Sequence, residues 1–333
     1  LGLQLVMSLG LTTSPRVTVW WKPKAPETIA SDVHGMIDRL CATDTIIYCG
    51  YAALPDGTFG IDPSPAGGWG NASLCAQAVD VAAAAGLGVQ LIVEGRIGGH
   101  VKAALKLGGT AFGSSAKTVL AGTSFVSKVQ GLNIDWEVGK NKSAAKPLPT
   151  QAAMDTFTRD FARALSPTMQ LSVCATQFLS TVSNFELILE HGALVYDMGL
   201  YHGTTAQEWD GKLANASISG GSAGLPLRSG ALAVSMALHP KFVWENSTES
   251  VVARFAAIAR LGVKHIALFA WGGVQRDPEQ PGDPDFGLPR ATANEWTTQL
   301  RAFVKEDEQR RARRGGSADA HGASGAAGTT GRT

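Results

Sequence analysis

The strongest constraint on the fold is a regular alternation of strand-like and helix-like segments along the chain. Short runs rich in β-branched and aromatic residues recur eight times, with helical patterns between them. The predicted strands are Val17–Trp21, Thr45–Cys49, Val89–Val93, Gly131–Glu137, Gln170–Cys174, Val195–Tyr201, Ala231–Met236 and His265–Trp271. Eight strand-then-helix units in a chain of 333 residues match the size of a (β/α)8 TIM barrel, an α/β fold.

The doubly wound open sheet is the structural rival, because it also alternates strands and helices. Its usual nucleotide-binding signature, Gly-x-Gly-x-x-Gly after an early strand, is absent from the sequence. The phosphate-binding pattern Gly-x-x-x-x-Gly-Lys-Ser/Thr is absent too. We therefore predict a barrel.

Several of the intervening helices have recognisable ends. Thr150 is a candidate cap for the helix that follows it, and Gly262 directly follows an apolar helical pattern that it is suited to end. Thr292 and Glu295 form a capping-box pattern ahead of another amphipathic segment. These signals place helices between and after the predicted strands, as a barrel requires.

We predict a single barrel over residues 17–309, flanked by two unlike ends. Residues 1–16 are leucine-rich and are interpreted either as the remnant of a signal peptide or as an N-terminal cap on the barrel. Residues 310–333 are rich in Arg and then in Gly, Ala, Ser and Thr, and they contain no large apolar side chain. We expect this tail to be disordered.

The composition excludes several classes of partner. The 29 Lys and Arg residues nearly balance the 28 Asp and Glu residues, and the basic surplus lies in the tail, so we expect no nucleic-acid partner. No apolar run is long enough to predict a membrane span. The histidines show no metal-ligand spacing such as His-x-x-x-His, so we expect neither a metal nor another cofactor.

Cysteine and asparagine positions bear on the compartment. The four cysteines contain no Cys-x-x-Cys pair, and their wide spacing leaves open which of them form disulfides. Four Asn-x-Ser/Thr acceptor triplets, which permit secretion, begin at Asn71, Asn141, Asn215 and Asn246. We expect a monomeric glycoprotein that is extracellular, lysosomal or vacuolar.

The fourth predicted strand carries most of the chemical information. Side chains alternate along a strand, so its polar residues share one face and its large apolar residues share the other. The polar face holds Asn133, Asp135 and Glu137, and the apolar face holds Leu132, Ile134 and Trp136. Two carboxyl groups this close are costly to bury unless one holds a proton. We predict that the acids point into the barrel and act chemically, and an edge strand with ordinary surface acids is the alternative.

In this segment the chain resembles glycoside hydrolase family 18, the chitinases and their relatives. The family motif Asp-Gly-x-Asp-x-Asp-x-Glu aligns with residues 130–137, which here are Gln-Gly-Leu-Asn-Ile-Asp-Trp-Glu. Asp135 and Glu137 match the motif, whereas Gln130 and Asn133 depart from it. Asparagine at the middle position also occurs in the lysosomal di-N-acetylchitobiase branch, to which the chain is most similar.

Weaker matches follow in the order of the family. Tyr201 suits the tyrosine of the sixth strand, with Tyr196-Asp197 as a rival placement, and the eighth strand ends in Trp271, as that of the family does. The interval after the seventh predicted strand is too short for the α+β insertion of larger chitinases. We therefore expect a single domain without that insertion.

The resemblance implies retaining, substrate-assisted hydrolysis of β-1,4-linked N-acetylglucosamine oligosaccharides or chitin. In this family the 2-acetamido oxygen of the substrate is the nucleophile. By resemblance, Glu137 is the general acid and base, Asp135 orients the acetamide group, and Tyr201 donates its hydroxyl to the acetamide oxygen. Trp271 is expected to form an apolar floor beneath the sugar, and a core position at the end of a buried strand is the alternative.

The remaining candidates are open between a site role and a structural one. Asn133 and Asp197 are interpreted as substrate-binding residues, although Asn133 also suits a supporting hydrogen bond to Asp135. Glu94 ends a predicted strand and is either a cleft acid or a surface acid. One of Trp20 and Trp21 faces the barrel interior, and the sequence does not settle which.

Two other functions compete with the hydrolase. A non-catalytic, lectin-like barrel that binds chito-oligosaccharides is the alternative function, and a barrel enzyme of unrelated chemistry is the third. The retained Glu137 favours the hydrolase over the lectin.

Overall fold

The computed structural model describes residues 15–62, 70–95, 97–136, 150–175, 194–197, 232–238, 247–271 and 288–320. The strands in these ranges are β1 (Arg16–Trp21), β2 (Asp44–Ala53), β3 (Phe59–Ile61), β4 (Gly88–Glu94), β5 (Gly131–Asp135), β6 (Gln170–Ala175), β7 (Leu194–Asp197), β8 (Leu232–Ala237) and β9 (His265–Trp271). The α-helices are α1 (Ile29–Leu40), α2 (Ala72–Ala84), α3 (Gly98–Leu107), α4 (Gly109–Ala121), α5 (Gln151–Leu165), α6 (Thr248–Leu261) and α7 (Arg290–Ala320).

Eight of the strands form a closed parallel barrel. Their hydrogen-bonded order is β1-β2-β4-β5-β6-β7-β8-β9, and β9 pairs in parallel with β1 to complete the circle. Each of the eight coincides with a predicted strand, so the predicted (β/α)8 barrel is confirmed. The chain passes from β8 to α6 over residues 238–247, an interval too short for an added α+β domain.

The short strand β3 was not predicted from the sequence. It pairs antiparallel with the end of β2, where Ala53 lies opposite Phe59. Three residues are too few to give a clear alternation of apolar and polar positions. The hairpin packs on α4, because the Phe59 N–H donates to the Ser115 hydroxyl at 3.0 Å and the Phe59 ring contacts that of Phe112.

Successive side chains of the barrel strands alternate between the outside and the inside of the barrel, and the apolar ones form two separate clusters. Outward-facing residues such as Val17, Leu91 and Leu132 join helix residues in a large cluster between the barrel and the helices. A second cluster fills part of the barrel interior. Its members are Trp20, Ile46, Tyr48, Ile92, Cys174, Leu194, Tyr196, Ala233, Ala237, Ala267 and Phe269.

Aromatic packing anchors β5 to the helices outside it. Phe112 of α4 lies 5.4 Å from Phe157 and 5.1 Å from Phe161, both on α5, measured between ring centroids. Trp136, the residue after β5, lies 4.9 Å from Phe157 and 5.9 Å from Phe112. The end of β5 is thereby held against two helices.

Two of the predicted helix ends are confirmed, and the third is wrong. The Thr150 hydroxyl accepts a hydrogen bond from the Ala153 N–H, and Gly262 ends α6 in the left-handed conformation. The capping box is wrong, because α7 begins at Arg290 and the Pro289 carbonyl accepts the Ala293 N–H at 3.0 Å. Thr292 therefore lies inside the first turn of the helix.

The last helix continues past the boundary predicted at residue 309. Its helical backbone extends to Ala320, eleven residues beyond that boundary. Arginine and alanine are strong helix formers, so a helix can continue there without an apolar face to bury. Residues 321–333 and residues 1–14 lie outside the described residues. No helix in the described part of the chain is both long enough and apolar enough to cross a bilayer.

A disulfide settles the cysteine pairing that the sequence left open. Cys49 of β2 is bonded to Cys75 of α2, 26 residues further along the chain, whereas Cys41 and Cys174 are not disulfide-bonded. The bond lies where the pairing of β2 with β4 shifts register, next to Gly50 with a positive φ of 80°. It ties this irregular part of the barrel wall to α2.

We expect the double variant C49A/C75A to lose about 3 kcal/mol of unfolding free energy, because the bond closes a long loop in the unfolded chain. Urea unfolding under non-reducing conditions measures the loss. Cys41→Ala is the matched control, since it removes a thiol that forms no disulfide, and it should unfold near the wild-type midpoint. Equal midpoints for the double variant and the control would contradict the expectation.

Candidate active site

The amino end of the barrel interior is closed by side chains. Arg16 forms an ion pair with Asp44 at 2.6 Å, and Thr18 Oγ1 lies 2.7 Å from His265 Nε2. These residues come from the first positions of β1, β2 and β9. The opposite end, at the carboxyl ends of the strands, is where TIM-barrel enzymes place their active sites.

Over Leu132–Trp136 the polar and the apolar side chains lie on opposite faces of β5, as predicted. Leu132, Ile134 and Trp136 are buried in the cluster between barrel and helices. Asn133 is fully buried and bonds to β6 inside the barrel, and Asp135, on the same face, is half-buried at the carboxyl end of the strand. Glu137 lies outside the described residues.

Asn133 belongs to a buried hydrogen-bond chain across three strands. Its Nδ2 donates to Ser172 Oγ at 2.7 Å, and Ser172 Oγ donates to Gln90 Oε1 at 2.6 Å. Cys174 Sγ donates to Asn133 Oδ1 at 3.2 Å. Both polar atoms of the Asn133 amide thus bond to β6, which fixes the side chain beneath Asp135.

Glu94 lies beside Asp135 at the same end of the barrel. It is the last residue of β4, it is 1% exposed, and the pairing of β4 with β5 places it opposite Asp135. The Gly95 N–H donates to the Asp135 carbonyl oxygen at 3.1 Å, which extends the pairing by one bond. The sequence left Glu94 open between cleft and surface, and the structure buries it.

The aromatic residues of β1 divide between the two sides of the barrel wall. Trp20 faces the interior, where its ring lies 5.3 Å from Tyr196 and 6.2 Å from Phe269. Trp21 faces outward, and its Nε1–H donates to Asp32 of α1 at 3.1 Å. The orientation that the sequence left open is thereby decided.

Trp271 differs from its predicted position. The pairing of β1 with β9 shifts register, so that Trp20 lies opposite Phe269 and Trp21 lies opposite Trp271. An extra residue in β9 turns Trp271 outward, where its ring packs so closely on Gly35 of α1 that a side chain there would collide with it. In this structure the ring is part of the outer core and does not face the barrel interior.

The tyrosine candidates are only partly described. Tyr196 is buried inside the barrel, with its hydroxyl 3.4 Å from Thr18 Oγ1, and burial raises the pKa of its phenol, which therefore stays neutral. These contacts make Tyr196 a core residue. Tyr201 lies outside the described residues, as does the side chain of Asp197, although its backbone ends β7.

No metal-binding cluster competes with this end of the barrel in the described part of the chain. No three His, Cys, Asp or Glu side chains come together there. A groove of about 240 Å³ lies between α6 and α7, but its lining is largely apolar, with Val252, Phe255 and Phe303 among the lining residues, and it contains no carboxyl group. Hydrolytic chemistry has no acid to use there.

Comparison with known proteins shows a shared fold. No protein-family profile matches the chain, and no curated protein matches its sequence. The Group IV chitinase of Ostrinia furnacalis, solved in complex with allosamidin, superimposes with a TM-score of 0.58 at 10% identity, over 88% of this chain and 99% of that one. A class V chitinase from Pseudomonas fluorescens Pf-5 gives 0.56 at 12% identity, over 87% of this chain and 100% of that one. The spore cortex-lytic enzyme SleL of Bacillus cereus gives a TM-score of 0.55 at 12% identity, over 86% of this chain and 74% of that one.

We expect Ser172→Ala to destabilise the barrel by about 2 kcal/mol or more, because it leaves Asn133 Nδ2 and Gln90 Oε1 buried without their shared partner. Thermal and urea unfolding measure the effect. Ser114→Ala removes an exposed hydroxyl that bonds within α4, and as the control it should change stability by no more than about 0.5 kcal/mol. A Ser172 variant as stable as the control would show that the buried hydrogen-bond chain adds nothing to the free energy of unfolding.

Proposed function

We propose that the protein is a retaining glycoside hydrolase that cleaves β-1,4-linked N-acetylglucosamine oligosaccharides by substrate-assisted catalysis. The observation that carries the proposal is the polar face of β5, which ends in Asp135 at the open end of the barrel. Glu137 follows two residues later in the motif shared with glycoside hydrolase family 18. The fold shared with two chitinases and a spore cortex-lytic enzyme supports glycosidic-bond hydrolysis as the type of reaction.

In the proposed mechanism Glu137 is the general acid and then the general base. It gives its proton to the glycosidic oxygen while the 2-acetamido oxygen of the substrate attacks the anomeric carbon, so the leaving sugar departs as an alcohol. Water then opens the resulting oxazolinium ring, with Glu137 taking the proton back. The two displacements at one carbon retain its configuration.

Asp135 accepts the acetamide N–H in this proposal and stabilises the positive charge that develops on the oxazolinium ring. Such a contact requires a fixed carboxyl group, because electrostatic stabilisation depends on groups that are oriented before the reaction. The fully buried Asn133 below it and the Trp136 ring after it hold the strand end in place.

The sugar-binding surface combines aromatic and polar groups. Phe269 faces the barrel interior near the carboxyl end of β9 and is proposed as the apolar surface beneath the sugar ring, because Trp271 faces outward. Tyr201 is proposed to donate its hydroxyl to the acetamide oxygen. Asp197, at the carboxyl end of β7, is proposed to contact sugar hydroxyls.

The wild-type protein is expected to release 4-methylumbelliferone from its chitobioside or chitotrioside. Glu137→Gln should lower kcat by about 10²–10⁴-fold, because general acid–base catalysis contributes on this scale, and Asp135→Asn should lower it by about 10²-fold. Asp80→Asn is the matched control, since this acid lies on α2 and pairs with Lys128 at the surface. It should leave kcat unchanged.

Proton NMR of the first product formed distinguishes the mechanism from other hydrolyses. Retention predicts the β-anomer before mutarotation. Failure of the wild-type protein to hydrolyse chito-oligosaccharides of any length would overturn the proposal. Binding of chitotriose without any turnover would instead favour the lectin-like barrel.

A further inference from the structure

A second carboxyl group lies inside the barrel mouth next to Asp135. Glu94 faces the interior, because Gln90 and Ile92 on the same face of β4 reach the buried hydrogen-bond chain and the interior cluster respectively. The pairing of β4 with β5 places Glu94 opposite Asp135. Neighbouring strands lie about 4.8 Å apart, so the two side chains stand side by side.

The two acids differ in exposure. Glu94 is 1% exposed, whereas Asp135 is half-buried at the opening. On its other side Glu94 lies opposite Ala52 of β2, a small neutral residue, and Tyr48 of β2 also faces the interior. Burial disfavours a carboxylate relative to a carboxylic acid, and a neighbouring carboxylate has the same effect. The more deeply buried Glu94 is therefore the member of the pair suited to hold a proton.

A protonated carboxyl group is also a hydrogen-bond donor. Asn133 is the nearest amide below Asp135 on β5, and its nitrogen and oxygen are bonded to Ser172 and Cys174. Glu94 lies at the level of Asp135 on the adjacent strand β4, and when protonated it can donate to Asp135. Short O–H···O⁻ bonds are among the stronger hydrogen bonds in proteins.

We infer that Glu94 is a positioning residue: its protonated carboxyl group donates a hydrogen bond to the Asp135 carboxylate and orients the oxygen that receives the acetamide N–H of the substrate. This inference rests on the proposed function and adds a residue from β4 to it. Glu94 acts through Asp135 and makes no contact with the sugar.

Substitution of Glu94 by two residues of similar size tests this role. Glu94→Leu removes the donor, and we expect kcat to fall by about 10²-fold, since small misplacements of a catalytic group have effects of this size. Its thermal midpoint should equal or exceed that of the wild type, because replacing a buried acid by an apolar residue is often neutral or stabilising. Glu94→Gln keeps an N–H donor, so its kcat should be about ten-fold or more above that of Glu94→Leu. Glu27→Leu, at an exposed glutamate before α1, is the control for loss of a carboxyl group.

The pH profile separates positioning from a purely structural role. Ionisation of Glu94 beside Asp135 would break the hydrogen bond, so the wild type should lose activity on the alkaline side. Glu94→Gln cannot ionise, and the alkaline limb of its kcat profile should move to higher pH. The inference is overturned if Glu94→Leu keeps the wild-type kcat, or if Glu94→Gln is as impaired as Glu94→Leu.

Calorimetric titration of chitotriose distinguishes failure of this inference from failure of the proposed function. If the wild type binds chitotriose but does not hydrolyse it, the hydrolase proposal fails, and the inference still predicts at least ten-fold weaker binding for Glu94→Leu than for Glu94→Gln. Equal binding by the two variants would then overturn it. Absence of both turnover and binding in the wild type would overturn both.

Discussion

The structure depends on the parallel pairing of β9 with β1, which closes eight strands into a barrel. Closure gives every barrel strand an inside and an outside, and it leaves no strand edge in the ring. Outward side chains are covered by helices, so they are apolar. Inward side chains share a narrow space in which polar groups persist only if they are bonded to one another.

Polar side chains lie at three levels of the barrel interior. The Arg16–Asp44 ion pair lies at the amino end, and the chain from Gln90 through Ser172 to Asn133 lies in the middle. Glu94 and Asp135 lie at the carboxyl end. Buried polar networks of this kind rigidify a core when they are fully satisfied. The acids at the open end therefore stand on a fixed base, which is the property that a catalytic carboxyl group needs.

The fold and the site support the proposed function in different ways. Barrels of this type carry many chemistries, so likeness to chitinases at about 10% identity indicates the architecture and leaves the substrate to the site. The proposed preference for N-acetylglucosamine rests on the resemblance of the segment with Asp135 and Glu137 to the motif of glycoside hydrolase family 18, which uses a substrate-assisted mechanism. The outward turn of Trp271 shows that one motif residue can match in sequence while its side chain takes a different place.

The alternation of apolar segments was sufficient to predict the eight barrel strands, because strand and helix periods are local properties of the chain. The same local rule placed Asn133 and Asp135 on one face of β5 and Trp136 on the other. Tertiary structure alone decided which cysteines pair, which of Trp20 and Trp21 lies inside, and that Glu94 stands beside Asp135. These outcomes depend on strand register and on an extra residue in β9. Register is set by pairing between segments that are far apart in sequence, so no local sequence pattern predicts it.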